Sequence, residues 1–228
     1  MPSVLFVFTS APKTFTDAPA GWYLPEAAHP YWVLAPHATI DFASPEGPNP
    51  PVNEYSVQTY TDDDSVKFLN DADVKRKLAN AKKLSEVRAE DYDVIFYVGG
   101  LGPAIDLATD PVNAKLASEF WNSQKFVSGI CHGPAGLVEA VDSDGKPILG
   151  GKRITGLSIR EEEIIDVVKD VPFLLEDKIR SLGGIYEKAD EPFGVKVVVD
   201  GRLITAQNPA SGKAVGEAVL AALLSTSE

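Results

Sequence analysis

The sequence predicts an α/β sandwich with a mostly parallel central sheet, and three observations carry that reading. Short β-rich runs recur without polar alternation: Val4-Leu5-Phe6-Val7-Phe8, Thr39-Ile40-Asp41-Phe42-Ala43, Asp93-Val94-Ile95-Phe96-Tyr97-Val98, and Phe126 to Ile130. Strands of that kind are covered on both faces, as parallel sheets are. Helical patterns separate the runs, and the final one, Pro209 to Leu224 (PASGKAVGEAVLAALL), is built of small residues that pack closely on a sheet.

Each element has its own signal. Pro25 and Glu26 sit at the first turn of a helix that follows the turn residue Gly21. Asp73 to Leu84 is a charged amphipathic stretch, and Pro111 to Trp121 starts with proline, which lacks only an N–H that a first turn leaves free. Pro172 to Leu182 stops at Gly183-Gly184, a helix-terminating pair. Lys196 to Val199 and Leu203 to Ala206 flank Asp200-Gly201 as a late β-hairpin. Ser44 to Val57 contains four prolines and reads as an irregular loop, either a rigid surface connection or the border of a ligand crevice. No repeat or linker divides the chain, so a single domain over residues 1–228 is expected.

With 228 residues, 44% of them hydrophobic, the chain can bury one substantial core. A formal charge of −12 argues against nucleic acid and anionic membrane surfaces, which need clustered Lys and Arg. No apolar run approaches the ~18 residues of a membrane span. The N-terminal apolar run is short and lacks a basic lead, so a cytoplasmic protein is expected, with the nucleus also open. One cysteine excludes an intrachain disulfide, and three histidines leave little material for a metal site. No metal or cofactor is expected.

The single cysteine lies in KFVSGICHGPAGL, residues 125 to 137. Cys131 falls between the strand ending at Ile130 and a helical reading from Pro134 to Val141, flanked by Gly129 and Gly133. This Gly-x-Cys-x-Gly turn has the form of a nucleophile elbow, exposing a reactive side chain at a sharp strand-to-helix turn. Amides at a helix start would favour thiolate over thiol. Sites in parallel sheets lie at the carboxyl ends of the strands, where Gly99-Gly100-Leu101-Gly102 and Ser10 to Asp17 also fall. The backbone N–H groups of Gly100, Leu101 and His132 are candidate donors to an oxyanion.

A lone cysteine is more often an inert core residue. The adjacent His132, the paired glycines and the Gly-Gly loop together favour a reactive site. A carboxylate partner is available in GWYLPEAAHP, residues 21 to 30. A first-turn glutamate ordinarily stabilises the helix dipole from the surface. Glu26, however, lies among Trp22, Tyr23, Leu24, Ala27 and Ala28, where burial would raise its pKa and keep it protonated.

The ordered set VGG, GICHGPAGL, the early Glu26, ITGLSIREEE and ITAQNPAS resembles the ThiJ/PfpI (DJ-one-like) superfamily. More narrowly it is similar to the glutathione-independent glyoxalase III branch, often called heat-shock protein thirty-one. The resemblance runs from the first strand to the last helix. It implies a flavodoxin-like sandwich with helices on both faces, usually a homodimer, that converts methylglyoxal and other small α-oxoaldehydes to lactate-type products without metal or glutathione.

The same resemblance makes Cys131 the nucleophile, His132 the neighbouring acid/base and Glu26 the carboxylate beside the thiol. Its third triad member is acidic and best matches Glu162, with Glu161 and Glu163 flanking it in the same run. The chain departs from the family pattern at Leu101, where close members carry histidine in a GGHG loop. Other readings use the same elbow: a redox-sensing protein, a holdase chaperone with Trp22, Tyr31 and Trp32 as an apolar patch, or a cysteine-dependent deglycase or hydrolase.

Overall fold

A computed structural model describes residues 1–225. The chain runs β1 (Ser3–Val7), α1 (Leu24–Leu34), β2 (Thr39–Ser44), α2 (Glu54–Thr59), α3 (Asp63–Asn70), α4 (Ala72–Ala79), β3 (Lys82–Lys83), β4 (Val94–Tyr97), α5 (Gly102–Ile105), α6 (Pro111–Asn122) and β5 (Phe126–Ile130). A five-residue 3-10 turn (Gly133–Leu137) follows, then β6 (Arg153–Ile154), α7 (Ile159–Ile164), α8 (Leu175–Ser181), β7 (Ile185–Tyr186), β8 (Val197–Asp200), β9 (Leu203–Ala206) and α9 (Gly212–Ser225).

Seven strands form the main sheet in the order β3-β2-β1-β4-β5-β9-β8. Every pairing in it is parallel except β8 with β9, the hairpin at one edge. The five longer parallel strands, β2-β1-β4-β5-β9, follow the 2-1-3-4-5 order of flavodoxin-like sheets. A separate two-stranded ribbon joins β6 to β7.

The apolar strands follow from burial on both faces. Leu5 and Val7 point into a core with Leu116, Ala117 and Phe120 of α6 and Leu175 and Ile179 of α8. Val4, Phe6 and Phe8 point the other way, among Leu24, Ala28 and Tyr31 of α1, Phe68 of α3 and Val215 and Val219 of α9. There Phe6 stacks on Phe96 at 4.7 Å between centroids. Each such buried side chain contributes about 1.5–3 kcal/mol through burial. Small residues in α9 let it lie against α1, with Gly216 facing Pro30 and Val33.

The structure corrects several boundaries. The stretch from Asp73 to Leu84 is helical only to Ala79, because Lys82 and Lys83 pair with β2. The helix read from Pro172 begins at Leu175. Pro134 to Val141 holds a short 3-10 turn rather than a helix. The proline-rich loop is irregular only to Asn53, whose side chain caps α2 by accepting from Ser56 N–H at 3.1 Å. This loop fastens the entry to α1: Pro51 C=O accepts from Trp22 N–H, and Pro50 C=O accepts from the Trp22 indole N–H at 3.0 Å.

Trp22 and Tyr31 are buried in the core, and Trp32 is half-buried, its indole N–H bonded to Asp64 C=O. The aromatic patch considered for a chaperone surface is therefore mostly interior.

Candidate active site

The elbow is built at the end of β5. Cys131 takes φ of +59°, in the left-handed region that a non-glycine residue enters only at a cost. Its N–H donates to Ala206 C=O at 2.9 Å, and its C=O accepts from Leu157 N–H at 3.0 Å. The strained residue is thus fixed by β9 on one side and by the segment leading into α7 on the other. A glycine at 133 is required by close approach, since a Cβ there would meet Tyr97 O at 2.3 Å.

The elbow buries the thiol where exposure was expected: Cys131 is only 6% accessible. Burial pushes its pKa up first, and the charge of Glu26 pushes further in the same direction. The N–H groups of Gly100 and His132 act against this by favouring the thiolate. The helix start expected to favour the thiolate is not formed, because the turn after the elbow is a short 3-10 segment; two local amides act in that direction, against a net upward shift. Of the three oxyanion candidates, Gly100 and His132 direct N–H groups at the sulfur. Leu101 packs its half-buried side chain on the opposite core, with residues of α5 and α6.

Glu26 reaches the sulfur because residue 99 lacks a side chain. A Cβ on Gly99 would lie 2.2 Å from Glu26 Oε2 and 2.7 Å from Cys131 Cβ. Glu26 is fully buried, and neither carboxyl oxygen has a protein hydrogen-bond partner among the described residues. Desolvation raises its pKa well above the ordinary value, while the nearby thiol and Gly100 N–H oppose the rise. The negative charge of Glu161 reinforces it.

His132 is also buried, with Nδ1 3.8 Å from Cys131 Sγ and Nε2 2.6 Å from Glu162 Oε1. A proton on Nε2 donates to Glu162 and leaves the Nδ1 lone pair toward the sulfur. The three glutamates of IREEE separate because successive helical residues point about 100° apart. Glu161 turns back to its capping residue Ser158, Glu162 turns inward to His132, and Glu163 turns outward to Arg160 at 3.1 Å.

Sequence reasoning passed over two features. Tyr23 and Tyr60 pack edge-to-face at 5.6 Å, and the charges of Glu26 and Cys131 help hold both phenols protonated, after burial itself. Gln207 and Asn208 bond directly to Glu161. Their only sequence signal was their place in ITAQNPAS, just beyond the carboxyl end of a strand.

A doubly wound sheet thus carries a buried cysteine on a strained elbow, with histidine and glutamate in series, an arrangement of the kind that cysteine nucleophiles use. Residues 40–222 match the DJ-1/PfpI family, and the chain belongs to it. It is 29% identical to glyoxalase 3 of Candida albicans over 97% of this chain and 98% of that protein. It is 31% identical to the glutathione-independent glyoxalase HSP31 of Saccharomyces cerevisiae over 91% and 92% of the two chains. Among solved structures, the 24 kDa rapid encystment protein of Francisella tularensis superposes with a TM-score of 0.92 at 32% identity, covering 98% and 99% of the chains. Candida albicans glyoxalase III gives 0.87 at 28% identity over 97% of both.

Proposed function

We propose that this protein is a glutathione-independent glyoxalase that converts methylglyoxal and similar small α-oxoaldehydes to 2-hydroxy acids. The observation that carries the reading is one buried sulfur set between His132 Nδ1 at 3.8 Å and a Glu26 carboxyl with no other side-chain partner. Similarity to named glyoxalases over nearly the whole chain supports the substrate class.

In the proposed route, His132 takes the thiol proton and the Cys131 sulfur bonds to the aldehyde carbon. That carbonyl oxygen gains a proton, giving a hemithioacetal. A base, His132 or Glu26, removes the hydrogen from the same carbon while the neighbouring ketone oxygen is protonated, leaving an enediol. A proton added at the former ketone carbon, with loss of the hydroxyl proton on the sulfur-bearing carbon, yields a thioester. Water then breaks the sulfur–carbon bond, releasing the hydroxy acid and restoring the thiol. The net change is the aldehyde plus one water to the acid, with no net redox change. Each positioned proton-transfer group contributes about 10²–10⁴-fold.

A peroxide sensor works best with an exposed, low-pKa thiol. Burial of Cys131 counts against the sensor. A free cysteine fits a reducing compartment such as the cytoplasm. Exposed Ile164, Ile165 and Val168 at and after the end of α7, with Phe193 and Val195 before β8, favour a homodimer, which light scattering would register as a doubled mass.

The direct test is incubation of pure protein with methylglyoxal, without glutathione, while lactate is measured for wild type and Cys131→Ala. Lactate from wild type alone is expected. No lactate from wild type overturns the proposal.

A further inference from the structure

Glu161 stands apart from the other buried acids. Its carboxylate is fully buried and accepts five hydrogen bonds: from Ser158 N–H at 2.8 Å, Ser158 Oγ at 2.6 Å, Phe193 N–H at 2.8 Å, Gln207 Nε2 at 2.9 Å and Asn208 Nδ2 at 2.8 Å. Among the described residues, no Lys or Arg pairs with it. Burying an unpaired carboxylate is costly unless its lone pairs are saturated, and here they are.

The donors come from three separate segments. Ser158 caps α7, whose first turn carries Glu161 and Glu162. Gln207 and Asn208 follow β9, whose Ala206 holds the Cys131 N–H. Phe193 lies in the connection before β8 and takes φ of +60°, a strained conformation that the bond to Glu161 helps hold. The same connection is tied at two more points, by Ala189 N–H donating to Gln207 Oε1 and by Asn208 Nδ2 donating to Gly194 C=O.

We propose that Glu161 is a positioning residue for the reaction, holding α7 against the end of β9 so that Glu162 meets His132 at the elbow. The role links the helix that carries Glu162 to ITAQNPAS, whose Gln207 and Asn208 the chemistry at Cys131 does not use directly. Glu161 touches none of the reacting atoms; it acts through Glu162 and through the backbone beside Cys131.

A second consequence of the same charge supports the assignment. The charge of Glu161 raises the pKa of Glu26 beside the thiol, adding to the larger effect of burial. Of the titratable groups that face Cys131, Glu26 from α1 raises its pKa, Tyr23 ahead of α1 and Tyr60 after α2 are themselves acted on by it, and His132 Nδ1 lies 3.8 Å from the sulfur. Glu161 itself also acts on Tyr186 of β7.

The proposal rests on the glyoxalase reading only for turnover, so the test has two arms. In Glu161→Gln an amide donor must face groups that are themselves donors, and α7 loses its register. The turnover arm measures kcat and KM for methylglyoxal. A fall of about 10–100-fold in kcat is expected, with KM within about threefold of wild type, as for misplacement of a catalytic pair by an ångström or less.

The second arm follows alkylation of Cys131 by iodoacetamide against pH and needs no turnover. Its midpoint should move to higher pH, because the proton acceptor is displaced and Glu26 ionises more readily. Loss of the Glu161 charge acts on Glu26 even in a native arrangement, so Gln207→Ala, which keeps that charge, is measured alongside; a variant merely less stable would leave its midpoint in place. Gln207→Ala, which removes one of the five donors, serves if Glu161→Gln does not fold; it should shift both readouts in the same directions by less.

If a folded variant keeps wild-type kcat and an unchanged alkylation midpoint, the positioning role is overturned. If wild type makes no lactate but the midpoint still moves, the role stands and the glyoxalase assignment falls.

Discussion

His132 Nε2 lies 2.6 Å from Glu162 Oε1, and both side chains are shut away from solvent. The other carboxyl oxygen of Glu162 has no partner among the described residues, so the bond to His132 is the one that orients the acid. Glu162→Gln keeps an acceptor at that place but removes the charge that stabilises a protonated imidazole. It should lower kcat for methylglyoxal by at least about 10²-fold. Glu163→Gln, altering an exposed residue paired with Arg160, should leave kcat within about twofold, since surface pairs contribute little. Equal losses in the two variants would place the third member of the triad elsewhere.

The buried carboxyl of Glu26 makes stability depend on pH. Its folded pKa is raised above the ordinary 4.5, so the folded state holds a proton that the unfolded chain releases. The stabilisation is complete below about pH 4.5 and is lost as pH rises toward the folded pKa. Across that window wild type should lose about 1.4 kcal/mol per pH unit relative to Glu26→Gln, which carries no proton to lose. Urea unfolding of both proteins at pH 5, 6 and 7 checks this. Parallel curves would mean that Glu26 is ionised in the folded protein.

Gly99 is where the carboxyl and the thiol are allowed to meet. Gly99→Ala places a methyl 2.2 Å from Glu26 Oε2 and 2.5 Å from Ile130 O, so backbone or carboxyl must move. Overpacking of this kind costs about 1–3 kcal/mol, a Tm fall of several degrees. Activity should fall by an order of magnitude or more, because the displaced group is the one beside the sulfur. Calorimetry and lactate assays on the same preparation separate the two effects.

Cys131→Gly offers an opposite test of the elbow. Glycine adopts φ of +59° without the steric cost that cysteine bears there, about 1–2 kcal/mol. Set against this, the lost side chain is small and leaves only a modest void. The variant should make no lactate and yet unfold at a temperature no lower than that of Cys131→Ala. A clearly lower Tm would show that the left-handed turn carries little strain.

The longer strands were legible because both faces of the sheet are buried, which leaves unbroken apolar runs such as Val4 to Phe8. The order of the sites was legible too, since each lies just past a strand end. Two-residue strands such as Lys82-Lys83 leave no periodic trace, and α3 was overlooked although Asp62 caps it by accepting from Ser65 N–H. At the site, the sequence singled out Cys131, His132 and Glu26 and favoured Glu162, without excluding its neighbours Glu161 and Glu163. The Ser158–Glu161 capping box held the missing clue, because it fixes which residue of the first turn faces back and hence which faces His132. The depth of the thiol was not legible, since it depends on α1 and the residue 99 loop closing over the elbow from distant parts of the chain.

The bond from Cys131 N–H to Ala206 C=O, at 2.9 Å, also bears on the order of assembly. It joins residues 75 positions apart and belongs to the parallel pairing of β5 with β9. Non-local parallel pairing is slow to form, because loop-closure entropy must be overcome before contacts compensate. On the ribosome, Cys131, His132 and Glu162 all emerge well before β9. The thiol therefore spends part of synthesis as an ordinary exposed cysteine, and its burial beside Glu26 becomes complete only when the last strands dock.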